Sequence, residues 1–282
     1  MITRTSSAAR ATGPLAARAT GPLVQRTAVL LAAALLLTGC AGAVAAGDTA
    51  ADSLPGRATD RPSGSATARP GAAPKTTATT GTAPREIPGL GPRTRAAVPA
   101  GSGQVVVVTG DGGDSPDSTV VLYQRTGTGD DAGWKAGARW PAHNALKGWT
   151  GHHTVGDLRS PAGVYGLSDA GGLRPDPGTR LPYHHSRGFV PPGTGFEGES
   201  LAGSFDYVIA VDYNRVPGTS PLDWARPLGA RRGGGIWLHV DHGGPTHGCV
   251  GLSERHMEEL LLTLDPDRRP VVVMGDAARL AR

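Results

Sequence analysis

The chain has 282 residues, of which 38% are hydrophobic and 5% aromatic, and its formal net charge is +4. That excess is confined to the N-terminal third: residues 1–98 hold 11 Lys+Arg against 4 Asp+Glu, whereas residues 99–282 hold 17 against 20. Every Trp, Tyr, Phe and His lies in the second, net acidic part, so the foldable part has no basic stripe interleaved with aromatics and nucleic-acid binding is excluded as its function.

In chain order, Arg4, Arg10, Arg18 and Arg26 precede the apolar run TAVLLAAALLLT at residues 27–38. The run has the length of an export signal and is short of the roughly 20 apolar residues a spanning helix needs. It ends in LTGCAG, residues 37–42, which resembles a bacterial lipobox. The resemblance implies a signal peptide over residues 1–39 and diacylglycerol on Cys40. The protein would then be anchored to the extracytoplasmic face of the membrane, without spanning it, and would reach the cell wall.

Residues 40–98 are rich in Ala, Gly, Thr, Ser, Pro and Arg, with no hydrophobic period. Such a composition cannot bury enough apolar area to offset chain entropy, and it predicts a disordered spacer. The remaining residues, 99–282, are expected to form one domain. Strands are predicted over 104–108, 118–125, 163–167, 205–213, 235–240 and 270–274 from β-branched runs and alternation bounded by turn residues. One helix is predicted from Ser253, with Met257, Leu260, Leu261 and Leu264 at helical spacing, stopped at Asp265-Pro266. The fold class is therefore mostly β with few helices. Trp134, Trp140 and Trp149 read as packing residues rather than a glycan platform.

Cys249 is the second of two cysteines. If Cys40 carries lipid, Cys249 has no intrachain partner, which is unusual in an oxidising exterior. It lies in a Gly/Pro-rich turn between an expected strand and the predicted helix. Neighbouring imidazoles and helical N–H groups favour the thiolate there. His239, on the strand, and His247 are candidate bases, with a hairpin-like return of the loop bringing His239 opposite Cys249. The N–H groups of Gly248 and Cys249 are candidate oxyanion donors. A zinc site built on His239, His242 and Cys249 is the rival reading. It is disfavoured because residues three apart on a strand point to opposite faces.

The stretch GGGIWLHVDHGGPTHGCVGLS, residues 233–253, resembles the signature of the L,D-transpeptidase catalytic domain, the YkuD-like family. Thr246, His247, Gly248, Cys249 and Val250 match its Ser/Thr-His-Gly-Cys-apolar half, and His239 matches its strand histidine. GDLRSPAGVYGL, residues 156–167, resembles the family's upstream segment. The chain departs from the pattern at Gly251, where the family often has Arg, and in a short spacer from His239 to Cys249. The resemblance implies an L,D-transpeptidase-like β-sandwich whose Cys249 attacks a peptide carbonyl while His239 takes its proton. The Val240 carbonyl would orient the imidazole, and His247 would line the site.

It further implies the partners: a peptidoglycan stem tetrapeptide as donor and an amine as acceptor, giving a 3→3 cross-link, with no cofactor. Water as acceptor would make the protein an L,D-carboxypeptidase instead. A wall-binding lipoprotein without catalysis is the alternative from another class. Asn214, Arg215 and Trp237 are weaker candidates for stem-peptide binding. A monomer is expected.

Overall fold

The computed structural model describes residues 83–282. The expected signal peptide, Cys40 and most of the expected spacer lie outside these residues. Among the described residues twelve strands form: β1 Gln104–Gly110, β2 Asp117–Thr126, β3 Gly133–His143, β4 Trp149–Thr150, β5 Ser160–Pro161, β6 Gly163–Gly166, β7 Ala170–Gly172, β8 Tyr183–His185, β9 Val208–Ala210, β10 Trp237–Val240, β11 Val250–Leu252 and β12 Val271–Asp276. Three α-helices accompany them, α1 Pro92–Ala97, α2 Glu254–Thr263 and α3 Ala277–Leu280. Ten strands share one curled sheet in the order β6-β12-β1-β2-β3-β11-β10-β9-β7-β8, and β4 pairs with β5 apart from it. The domain is mostly β.

β1 shows why the sheet is covered on both sides. Its side chains alternate, as the strand period requires. Val106 and Val108 enter one core with Met257, Leu260 and Leu261 of α2, while Val105 and Val107 enter a second core with Val271 and Val273. A continuous valine run is the expected signature of a strand buried on both faces. α2 starts where its cap predicts, the Ser253 hydroxyl accepting the N–H of His256 at 3.4 Å.

Three expectations are corrected. First, the spacer was expected to run to residue 98, but residues 83–98 belong to the fold. Ile87 and Leu90 are each only 4% exposed and close the second core. The N–H groups of Arg93 and Thr94 hold the carbonyl of Arg282. Two apolar residues among Pro, Gly and Arg give no periodic signal, and only the waiting valine face makes them core.

Second, β3 is the longest strand yet was not foreseen. Residues 135–139 are all exposed, so GWKAGARWPAH carries no alternation; its ladder to β2 sustains it. Third, β10 and β11 run parallel, with Leu238 beside Val250 and His239 beside Gly251. The loop between them crosses over instead of returning as a hairpin.

Candidate active site

Parallel pairing sets the site. The register that puts Leu238 beside Val250 carries Trp237 beside Cys249, one step before β11. Neighbours in adjacent strands share a face, so Cys249 and His239 project to the same side of the sheet. The main chain of β10 then holds the sulfur: the Trp237 N–H donates to Sγ at 3.4 Å, and Sγ lies 3.6 Å from the Gly235 carbonyl.

The turn carrying Cys249 is stitched down from below. Thr246 donates its hydroxyl to the Cys249 carbonyl at 2.7 Å, and its backbone bonds Asn144 and Leu146 at the end of β3. Ser160 of β5, fully buried, reaches the same carbonyl at 3.4 Å. The upstream segment around residue 160 thus buttresses the cysteine turn.

His239 is 3% exposed, and its Nδ1 lies 2.9 Å from the Val240 carbonyl. That bond assigns the proton to Nδ1 and leaves Nε2 as the basic nitrogen. Burial, reinforced by the charge of nearby His242 and opposed by the Val240 bond, lowers its pKa to about 4. Cys249 is half-buried, with its sulfur packed against the main chain at Gly235 and Trp237. Burial raises its pKa to about 11 against the Trp237 N–H. The expectation of a lowered thiol pKa is therefore corrected, because desolvation outweighs the donor. The resting pair is a neutral thiol and a neutral imidazole.

Both side chains line a cavity of about 150 Å³, together with Phe205, His242, Thr246 and His247. Pro191, Pro192, Phe196 and Leu201 form another wall, where Phe196 packs on His247 with ring centroids 4.5 Å apart. Phe205 meets His239 edge-on at 5.5 Å.

The other expected site residues fall differently. The Gly248 N–H points at Thr246 Oγ1, 3.3 Å away, so it is not a free oxyanion donor. Asn214 and Arg215 do not bind substrate from a strand edge, since both are buried and internally satisfied. Asn214 spans Leu228, Gly229 and Gly233 at positive φ. Arg215 pairs with Asp169 and Asp212. Trp237 contributes its amide to the sulfur, while its ring packs between Phe189 and Phe205.

The strand-face argument that separated His239 from His242 also fails. β10 ends at Val240 and the chain turns at Gly243, φ 86°, so the two rings stack 5.9 Å apart. Among the described residues no group of three His, Cys, Asp or Glu is arranged to hold a metal ion. Glu199, beside His242, had no local signal in the sequence.

A buried imidazole and a half-buried thiol on one sheet face, lining one small cavity, give a β scaffold with a candidate cysteine nucleophile and its candidate base. The family model for the L,D-transpeptidase catalytic domain (YkuD) matches residues 103–273, and the chain belongs to that family, whose enzymes act on peptidoglycan peptides through a cysteine. The search of curated proteins returned no match. Among solved structures, the chain is similar to the helical cell shape determining protein Pgp2 from Campylobacter jejuni, at 17% identity and a TM-score of 0.34. The alignment covers 63% of this chain and 52% of that one, so the chain spans about half its length.

Proposed function

We propose that the protein is a peptidoglycan L,D-transpeptidase that forms 3→3 cross-links through a thioester on Cys249, with His239 as general base. The observation that carries this reading is the shared cavity. Sγ of Cys249 and the imidazole of His239 open into it, and Val240 fixes His239 so that Nε2 remains to accept a proton. A thiol near pKa 11 beside an imidazole near pKa 4 starts neutral, so proton transfer accompanies attack.

Sγ forms a bond to the carbonyl carbon of the third stem residue, and its proton passes to Nε2 of His239. The bond to the terminal D-Ala nitrogen breaks, and that nitrogen takes the proton from the imidazolium. The acceptor amine then displaces sulfur. With Gly248 turned toward Thr246, the Cys249 N–H is the donor assigned to the oxyanion.

The protein would act outside the cytoplasmic membrane, anchored by lipid on Cys40. Among the described residues no helix is long and apolar enough to cross a membrane. The mass of the mature N-terminal peptide tests that assignment.

The experiment for the reaction is incubation with defined tetrapeptide muropeptides, followed by mass analysis of protein and products. An acyl adduct on Cys249 and a cross-linked dimer support transpeptidation, whereas a tripeptide alone assigns water as acceptor. Undiminished cross-linking by Cys249→Ala overturns the reading.

A further inference from the structure

His242 is a buried titratable group with no task in the reaction above. Its side chain is 6% exposed, and its Nδ1 lies 2.9 Å from Oε1 of Glu199. Both atoms are sealed from solvent, and the N–H axis lies off the oxygen, so the pair has no well-aligned hydrogen bond in the resting site. Unpaired buried polar atoms are costly and are rarely left idle.

Glu199 is held in place beside His242 by the chain around it. The Glu197 N–H donates to its Oε2 at 2.8 Å, and a Cβ on Gly244 would lie 2.5 Å from its Oε1. Its own N–H foremost, with the Glu197 N–H and the nearby His242, holds the carboxyl below its ordinary range. It stands beside His242 as a carboxylate.

The two imidazoles are arranged alike. They stack with planes 9° apart, and each turns Nδ1 toward an oxygen, Val240 O for His239 and Glu199 Oε1 for His242. Each therefore keeps Nε2 for proton exchange, and both line the cavity that holds Cys249. They differ in partner: His239 rests on a main-chain carbonyl, whereas His242 faces a carboxylate, which favours the imidazolium that forms when a proton is taken up.

We propose that His242, oriented by Glu199, is a second catalytic base, which takes the proton of the acceptor that resolves the Cys249 thioester. The assignment rests on the transpeptidase reading above. In this step the acceptor amine nitrogen forms a bond to the thioester carbonyl carbon and the carbon–sulfur bond breaks. One N–H proton passes to Nε2 of His242. The sulfur leaves as thiolate, and the imidazolium returns that proton to it, leaving amide and thiol. The off-axis Glu199 contact is of the kind that tightens when substrate fills the site.

The test separates the two half-reactions in the full chain. Acylation is read by intact mass after mixing with tetrapeptide alone, and thioester loss is read after adding an amine acceptor. For His242→Gln, the rate of thioester loss falls by about 100-fold or more, within the range for general-base catalysis, and falls at least about 30-fold further than acylation. Glu199→Gln, nearly isosteric and so a safeguard against misfolding, moves the same ratio in the same direction by roughly 10-fold and shifts the acid limb of the resolution profile. Equal loss of both rates, or an unchanged ratio in both variants, overturns the assignment of His242 alone. Absence of any Cys249 adduct in the unsubstituted protein overturns the transpeptidase reading with it.

Discussion

The amide of Trp237 points at the sulfur of Cys249 from 3.4 Å. One backbone donor does not offset the burial of the thiol, whose pKa is pushed up to about 11. Alkylation by iodoacetamide reads this directly. The rate at Cys249 should keep rising tenfold per pH unit from about 6 to beyond 9, because thiolate is the reactive form. A plateau beginning near pH 5 would mean a resting thiolate–imidazolium pair.

His239 couples the site to acid stability. Its folded pKa, about 4, lies below the ordinary 6.5, so below pH 6.5 the unfolded chain binds the proton that the folded one refuses. Stability is therefore full above 6.5 and declines as pH falls toward 4. At about 1.4 kcal/mol per pH unit the loss is roughly 3 kcal/mol. Urea unfolding across this window should show that slope in the natural protein and a much flatter one in His239→Gln. Matching slopes would mean the imidazole is not held neutral.

Gly251 is dictated by Asp241. A Cβ at this position would lie 2.7 Å from Oδ1 of Asp241, whose Oδ1 is 2.9 Å from Nδ1 of His143. Gly251→Ala should cost about 1–3 kcal/mol by urea unfolding, and Gly251→Arg more. Adding Asp241→Ala should return part of the loss. The arginine common at this place in the family is thus excluded by packing; a fully stable Gly251→Arg protein would refute this account.

Arg215 should act on stability and not on chemistry. It is buried between Asp169 and Asp212, and burial already raises the Asp212 pKa despite Ser168 and Arg215. Arg215→Met leaves two carboxylates without their cation and should cost about 3–5 kcal/mol. Turnover per folded molecule should stay within about twofold of the natural protein, an order-of-magnitude expectation for a residue outside the cavity. A large loss of turnover at full stability would return Arg215 to the substrate site.

The segment ahead of residue 99 carries real packing. Leu90→Ala should cost about 2–5 kcal/mol, as expected for a nearly inaccessible leucine that leaves a cavity. A chain starting at residue 99 should be less stable than one starting at residue 83. Equal denaturation midpoints would mean that Ile87 and Leu90 close nothing.

The sequence by itself determined the elements whose side chains announce their surroundings. The valine runs of β1 and β12, the Ser253 cap with its leucine spacing, and the cysteine between glycine and valine all carry their signal locally. The pairing of His239 with Cys249 was legible too, through motif order.

Only the tertiary structure decided how that pair is built and what surrounds it. Whether β10 and β11 run parallel, whether the chain bends after Val240 to stack His242 on His239, and whether burial or a nearby donor governs the thiol all depend on residues far apart along the chain. Glu199 reaches His242, and Ile87 joins the core that holds Val105, because the fold brings distant segments together. Contacts of that kind leave no periodic trace in sequence, since the free energy that fixes them comes from surfaces that exist only once the fold has closed.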